Sequence, residues 1–117
     1  MGDKIKNVLL VDDEEPFLYA LADGLSTYRK YFQILTAVNG EEAVKVLKLH
    51  PVDLVITDLS MPVMDGFELL AYMSRNYPKI PVVFMSIYKT PKLEEIVINM
   101  GIFRYLEKPL DVDTVAD

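Results

Sequence analysis

Polar side chains that could take part in chemistry lie at the ends of four short apolar runs. They are the pair Asp12-Asp13, then Asp58, Ser86 and Lys108, and each run has the length and composition of a strand. Carboxylates bind divalent cations and can attack phosphorus, while a lysine and a hydroxyl can bind phosphoryl oxygens. If the fold brings these strand ends together, the residue types predict phosphoryl chemistry.

The stretch around Asp58 carries the clearest of these signals. Residues 53–66 read DLVITDLSMPVMDG, so a β-branched apolar run ends on a carboxylate and is followed by a proline and an Asp-Gly turn. In an open α/β sheet, ligands bind outside the carboxyl ends of the strands. We therefore predict that Asp58 is a nucleophile that accepts a phosphoryl group as an acyl phosphate.

Strand-like and helix-like patterns alternate along the chain, which predicts an α/β fold with a parallel sheet covered on both faces. The first, third and fourth strands are the most continuously apolar and so belong in the centre of the sheet. The prediction is a doubly wound, five-stranded sheet in the flavodoxin-like order 2-1-3-4-5. Strands are predicted at 7–11, 32–37, 54–57, 82–86 and 103–106, and helices at 16–28, 41–49, 67–77 and 91–100.

In that strand order, Asp12, Asp13 and Asp58 converge where the winding of the sheet reverses. Three carboxylates a few ångströms apart repel by about 4 kcal/mol per pair at an effective dielectric constant near 20. Lys108 offsets one charge, and a hard divalent cation, Mg²⁺ or Mn²⁺, would bring the group close to neutrality. Such an ion would bridge Asp58 and a phosphoryl oxygen, while Lys108 and Ser86 would bind the other oxygens.

These residues resemble a known family in type and in spacing, over nearly the whole chain. The family is the receiver domain of two-component response regulators, and the matching residues are Asp12-Asp13, Asp58, Met61-Pro62, Asp65-Gly66, Ser86, Tyr105 and Lys108-Pro109. The resemblance implies that Asp58 is phosphorylated by a histidine kinase or a phosphotransfer protein. It also implies a phosphoacceptor domain, with at most self-phosphorylation from small donors and self-dephosphorylation, instead of a turnover enzyme.

The resemblance further implies the roles of the residues around Asp58. It places Mg²⁺ on Asp13, Asp58 and the backbone carbonyl of Ser60, with Asp12 acting largely through water. It makes Ser86 and Tyr105 a switch, in which the hydroxyl moves to the phosphoryl group and the ring turns inward behind it.

Two neighbouring positions and one peptide bond carry further expectations. Ile87 stands where the family usually has alanine or glycine, which would narrow the mouth of the site. Tyr88 occupies a variable position that would shield the phosphoryl group from water. The resemblance also implies a cis bond between Lys108 and Pro109.

Composition limits the other functions that the chain can have. Its 117 residues are enough for one domain, and the net charge of −6 argues against binding to nucleic acid or to an anionic membrane surface. There are no cysteines and no apolar run of the roughly 20 residues that a membrane span requires. These features, with the resemblance, predict a cytoplasmic protein.

Two other hypotheses remain beside the signalling switch. A Mg²⁺-dependent phosphohydrolase on a similar sheet would place a second acid two residues after the nucleophile, where this chain has Ser60. A degenerate receiver that only binds partners would not need the set of Asp13, Asp58, Ser86 and Lys108. Taken singly, Asp12-Asp13 would also fit a helix cap and Tyr105 would fit plain packing.

Only seven residues follow Leu110, which is about one turn of the fifth helix that such a sheet needs. We therefore expect residues 1–117 to be one receiver domain from a longer protein, cut near the start of the fifth helix. The family resemblance places the partner surface on the fourth helix, the fifth strand and the C-terminal face, with Ile98 and Arg104 as exposed members. A homodimer through this face is expected.

Overall fold

The computed structural model of the chain describes residues 5–25, 32–86 and 90–108. Within those ranges, strands and helices alternate as the sequence predicts. Their bounds are β1 (Lys6–Val11), α1 (Glu15–Leu25), β2 (Phe32–Ala37), α2 (Gly40–Leu49), β3 (Leu54–Asp58), α3 (Gly66–Asn76), β4 (Val82–Ser86), α4 (Pro91–Asn99) and β5 (Arg104–Glu107).

The strands form one parallel sheet in the order β2-β1-β3-β4-β5, which confirms the predicted fold class. β4 is buried along its whole length, whereas β2 and β5 carry exposed residues. The difference follows from position, because a central parallel strand is covered by helices on both faces and an edge strand is not. Since all five strands run the same way, their carboxyl ends lie along one edge of the sheet.

Alternate residues of each central strand pack on opposite faces of the sheet. Leu9, Val55 and Phe84 lie on one face, against buried residues of α2, α3 and α4. Leu10 and Ile56 lie on the other face, where the helical residues of the core are Leu18, Leu21 and Leu25 of α1. This double packing holds the carboxyl ends of β1, β3 and β4 rigidly side by side.

Capping side chains define where the helices that flank the site begin. Asp65 accepts a hydrogen bond from the Glu68 N–H at 2.9 Å, and the Glu68 side chain accepts one from the Asp65 N–H at 3.1 Å. This reciprocal pair is a capping box, so Asp65-Gly66 starts α3 as predicted. Thr90 caps α4 through its own side chain, and Pro91 follows in the first turn.

The structure corrects several details of the sequence prediction. The helical spacing of the apolar residues in 91–100 predicts a buried face made of Leu93, Ile96, Val97 and Met100. In the structure only Val97 of these is fully buried, and Ile96 and Met100 are 47% and 41% exposed. The predicted helical face was too wide, because α4 meets the sheet along a narrow line. Strand ends also shift by one residue, so that Asp58 is the last residue of β3.

Some expectations fall outside the described residues. They concern the end of the first helix beyond Leu25, Ile87 and Tyr88, the bond to Pro109, and the truncated fifth helix.

Candidate functional site

Asp12, Asp58 and Lys108 meet at the carboxyl edge of the sheet, as the strand order predicts. The Lys108 Nζ donates hydrogen bonds to Asp12 Oδ2 at 2.6 Å and to Asp58 Oδ2 at 3.3 Å. A third bond goes to Glu14 Oε1 at 3.1 Å. The ring of Phe17 covers another side of the ammonium, with its centroid 4.4 Å away. One cation therefore lies among three carboxylates and an aromatic face.

Asp12 is the innermost carboxylate of this group and is fully buried. Its Oδ1 accepts a hydrogen bond from the Glu14 N–H at 2.9 Å, and its own N–H donates to the Ala37 carbonyl at 3.1 Å. The first of these bonds is an Asx turn, which bends the chain out of β1 and into α1. Both carboxylate oxygens of Asp12 are thus used, one by the turn and one by Lys108.

Asp58 is also buried, but its side chain keeps 11% of its surface exposed. Burial raises the pKa of the Asp58 carboxyl. The charge of Lys108 opposes this shift in pKa, and the negative charge of Asp12 adds to it. The carboxylate is therefore held in an environment that disfavours its negative charge while one part of it faces the exterior.

Lys108 is positioned by the backbone as well as by its side chain. Its N–H donates to the Ser86 carbonyl at 2.8 Å, which continues the pairing of β5 with β4 beyond the last strand residue. Burial lowers the pKa of the ammonium, but the hydrogen bond to Asp12 and the charges of Asp58 and Asp12 raise it overall. Lys108 is consequently a permanent positive charge in the site at neutral pH.

Ser86 and Tyr105, the predicted switch residues, lie on the neighbouring strands β4 and β5, where Tyr105 pairs with Phe84 and Ser86 pairs with Glu107. Both are buried, with 6% and 3% of their surface exposed. Burial raises the pKa of the Tyr105 phenol, while a hydrogen bond with the Ser86 side chain lowers it. The two hydroxyl groups are therefore in direct contact on the side of the sheet edge nearest β5, with the ring of Tyr105 packed inward.

The profile of the response regulator receiver domain matches residues 8–117. The chain belongs to the response regulator receiver domain family.

Relatives of this receiver domain are longer proteins whose names describe different functions. The transcriptional regulatory protein GlrR of Escherichia coli K12 is 35% identical over 115 residues, which cover 98% of this chain and 26% of that protein. A probable cyclic di-GMP phosphodiesterase of Vibrio cholerae is 31% identical over 107 residues, which cover 90% of this chain and 24% of that protein. The chain thus spans about a quarter of these relatives.

Solved structures agree with the fold over almost the whole receiver domain. The signal receiver domain of an HD domain-containing protein from Pseudomonas fluorescens Pf-5 has a TM-score of 0.86 and 32% identity, and the match covers 99% of this chain and 85% of that one. The chemotaxis protein CheY4 of Vibrio cholerae has a TM-score of 0.86 and 26% identity, and the match covers 97% of this chain and 94% of that one.

No helix among the described residues is long and apolar enough to cross a membrane.

The carboxylates of this receiver domain fit a hard divalent cation. One oxygen each of Asp12, Glu14 and Asp58 lies within 4.8 Å of the others, and an all-oxygen set of this kind suits Mg²⁺. Asp13, a predicted ligand, is exposed and is not one of the three. Ser60, the other predicted ligand, is exposed on the loop that follows β3.

Glu14 and Phe17 are the site residues that the sequence prediction missed. Glu14 precedes Glu15-Pro16 and so looks like one more acid at a helix start. The sequence signal that could have placed Glu14 in the site is its spacing from Asp12. A residue two positions after an aspartate at a strand end can turn back toward that strand end. Phe17 has the helical spacing of a core residue and gives no separate signal.

The loop between β3 and α3 is tied closely to the site. The Gly66 N–H donates to the Leu59 carbonyl at 2.9 Å, and a Cβ at Gly66 would lie 2.4 Å from the carbonyl oxygen of Asp58. At the loop tip, the Met64 N–H donates to the Pro62 carbonyl at 2.8 Å, and Val63 between them has a φ of 71°. This is a γ-turn with a positive φ at a β-branched residue, which is a strained conformation.

Proposed function

We propose that this receiver domain is a phosphorylation-activated switch of a two-component phosphorelay. It accepts a phosphoryl group on Asp58 from a histidine kinase or a phosphotransfer protein, in a reaction that depends on Mg²⁺. The observation that supports this most directly is the Lys108 ammonium 3.3 Å from Asp58 Oδ2, because a fixed cation beside a partly accessible carboxylate is what phosphoryl transfer needs.

The reaction uses the difference in exposure between the two buried aspartates. Asp12 is closed off, whereas the side chain of Asp58 is 11% exposed and can be approached by a donor. An Asp58 oxygen attacks phosphorus, the bond from phosphorus to the donor breaks, and the donor leaves with the electron pair. For phosphohistidine the leaving group is the imidazole nitrogen, and for acetyl phosphate it is acetate.

The surrounding side chains bind the transferred group. Lys108 donates a hydrogen bond to one phosphoryl oxygen, and the Ser86 hydroxyl donates one to another. Ser86 thereby gives up its hydrogen bond with Tyr105, which allows the Tyr105 ring to change its packing. We propose that Mg²⁺ is held by Asp13, Asp58 and the Ser60 carbonyl, with Asp12 acting through water. When bound, the ion neutralises charge on the phosphoryl oxygens.

The direct test is incubation with acetyl phosphate and Mg²⁺, followed by intact-protein mass spectrometry. The expected result is one added phosphoryl group that is absent without Mg²⁺ and absent in Asp58→Asn. Asp65→Asn is the matched control, because asparagine is also a good helix N-cap and this carboxylate lies on the same loop. That variant should be phosphorylated like the wild type.

The same experiment separates the competing functions. Loss of acetyl phosphate without an accumulating adduct would favour a phosphohydrolase. An unmodified protein with unchanged acetyl phosphate would favour a receiver that only binds partners. An adduct that survives in Asp58→Asn would place the acceptor elsewhere.

A partner surface on α4 and β5 forms part of the proposal. Ile98 and Phe103 are 50% and 71% exposed, and Arg104 is exposed beside them. We propose that the protein forms a homodimer through this face and the C-terminal residues, that the domain itself does not bind nucleic acid, and that it works in the cytoplasm. Light scattering before and after phosphorylation tests the dimer, and a monomer in both states at high concentration contradicts it.

A further inference from the structure

The ammonium of Lys108 has three N–H donors, and the structure provides three carboxylate oxygens for them. The acceptors belong to Asp12, Glu14 and Asp58, and the Phe17 ring covers another side of the cation. The lysine side chain is only 5% exposed. To bind a phosphoryl oxygen on Asp58, Lys108 must therefore release a bond that it already makes.

The three carboxylates differ in how firmly they hold the ammonium. Asp12 is fully buried, makes the shortest contact and is fixed by the turn to Glu14. The Glu14 side chain is 64% exposed, so water competes for its ion pair and screens it. Asp58 makes the longest contact and is the group that the reaction changes. Of the two carboxylates that the reaction does not change, Glu14 is thus the one whose bond to Lys108 costs less to break.

The backbone sets Glu14 in place beside Lys108. The Glu14 N–H is bound to Asp12, and the Glu14 carbonyl accepts the Leu18 N–H at 2.9 Å at the start of α1. Asp12, Glu14 and Phe17 therefore form a clasp around the ammonium from one six-residue stretch, 12–17. Asp12 and Glu14 lie in the connection between β1 and α1 and Phe17 lies in the first turn of α1, whereas Asp58 belongs to β3, so the clasp and Asp58 hold Lys108 from separate elements.

We infer that Glu14 is a positioning residue that, with Phe17, holds Lys108 toward Asp12 in the unphosphorylated domain. Glu14 is the partner that Lys108 gives up when a phosphoryl oxygen arrives on Asp58. In this role Glu14 slows phosphorylation, because the ammonium must leave it before it can bind the transferred group. The inference that Glu14 slows phosphorylation rests on the proposed function. The inference that Glu14 holds the Lys108 ammonium in the unphosphorylated domain does not.

The kinetic test compares Glu14→Gln with Glu15→Gln. The second substitution removes the same charge one residue away, and the structure gives Glu15 a contact with Tyr19 instead of Lys108. Glu14→Gln should raise the rate of phosphorylation by acetyl phosphate about 1.5- to 5-fold, the range expected for an exposed ion pair. Glu15→Gln should leave it within experimental error. Equal acceleration in both variants would mean a general effect of net charge and would overturn the inference.

A second measurement does not depend on phosphorylation. In protein labelled with ¹⁵N in its lysine side chains and kept free of divalent metal, the Lys108 ammonium hydrogens should exchange slowly with water. Exchange should become several-fold faster in Glu14→Gln, faster still in Glu14→Ala, and remain unchanged in Glu15→Gln. Unaltered exchange in both Glu14 variants would overturn the hold even if the domain is phosphorylated.

Magnesium affinity, measured by calorimetry, separates this role from metal binding. Glu14→Gln should change the dissociation constant for Mg²⁺ less than threefold. A loss of tenfold or more would make Glu14 a metal ligand and would overturn the inference. If wild-type protein is never phosphorylated, the proposed function fails, and the exchange measurement still decides whether Glu14 holds Lys108.

Discussion

Lys108 Nζ lies 2.6 Å from Asp12 Oδ2 and 3.3 Å from Asp58 Oδ2, so the ammonium is bound more tightly to the buried aspartate than to the proposed acceptor. Asp12 is inaccessible and Asp58 is partly accessible. The permanent positive charge of Lys108 therefore lies beside Asp58, while its shortest hydrogen bond is to Asp12.

Replacement of Lys108 by methionine should destabilise the fold in the absence of divalent metal. The fully buried Asp12 would lose its cationic partner, and breaking a buried ion pair typically costs about 3 kcal/mol or more of unfolding free energy. Addition of Mg²⁺ should restore more stability to this variant than to the wild type, because the ion replaces the missing positive charge. Urea denaturation with and without Mg²⁺ measures both effects.

Lys45→Met is the matched control for that experiment. Lys45 makes an exposed ion pair with Glu42 on α2, at 3.1 Å, so its loss should leave stability nearly unchanged. Equal stability of Lys108→Met and the wild type would contradict the proposed charge balance.

Asp58→Asn should stabilise the fold at neutral pH. Burial raises the pKa of the Asp58 carboxyl in the folded state, so ionisation of this group works against folding. The neutral carboxyl of Asp58 stabilises the fold fully below the unfolded-state pKa of about 3.9. This stabilisation is lost as pH rises through the higher pKa of the folded state. The asparagine variant should therefore be more stable than the wild type at pH 7, by on the order of 1 kcal/mol.

The difference between Asp58→Asn and the wild type should shrink as pH is lowered toward the unfolded-state pKa. Chemical denaturation across this pH range, without metal, measures it. A difference that is independent of pH would show that the effect does not come from the charge of Asp58.

Asp13→Asn should weaken Mg²⁺ binding at least tenfold, since it removes the charge of a proposed ligand. Ser60→Ala should have little effect, because only the backbone carbonyl of that residue is proposed to bind the ion. Calorimetric titration with Mg²⁺ compares the two variants. Unchanged affinity in Asp13→Asn would leave Asp12, Glu14 and Asp58 as the better ligand set.

Gly66→Ala should disturb the acceptor site through the backbone. The added Cβ would lie 2.4 Å from the Asp58 carbonyl oxygen and 3.0 Å from the Leu59 Cα, and neither atom can move without shifting the end of β3. We expect a loss of about 1–3 kcal/mol in unfolding free energy and slower phosphorylation. Denaturation and intact-mass kinetics measure the two effects.

Gly101→Ala provides the contrasting variant for Gly66→Ala. Gly101 has a φ of 95°, and no atom of the described residues would lie within 4 Å of an added Cβ, so its substitution strains only the local backbone after α4. It should lower stability but leave the phosphorylation rate unchanged. A similar rate loss in both variants would argue that stability, and not the shift at Asp58, controls the rate.

Val63→Asn should stabilise the domain by about 0.5–1 kcal/mol. Val63 is 70% exposed and has a φ of 71°, so the wild type strains a β-branched residue and gains little from burying it. Asparagine tolerates this conformation much better, whereas alanine in Val63→Ala should recover less. Thermal and urea unfolding of the two variants and the wild type would measure this order of stability. A Val63→Asn variant less stable than the wild type would indicate that the valine makes a favourable contact.

The alternation of elements, the strand order and the identity of the acceptor edge follow from sequence because they depend on short-range pattern. Apolar runs separate central strands from edge strands, and parallel strands share one edge for their carboxyl ends. Asp58, Ser86 and Lys108 could therefore be brought together by reasoning from residue types alone. The narrow buried face of α4 could not be predicted in this way, since it depends on how closely that helix approaches the sheet.

The sequence by itself determined that Asp12, Asp58 and Lys108 share the carboxyl edge of the sheet, because that follows from the regular geometry of parallel strands. Only the tertiary structure decided that Lys108 is closer to Asp12 than to Asp58, and that Glu14 and Phe17 enclose it. The contacts of Lys108 with Glu14 and Asp12 join residues 94 and 96 positions apart. Their distances depend on the turn that Asp12 makes with Glu14, and on side-chain rotamers that no local pattern of residues specifies.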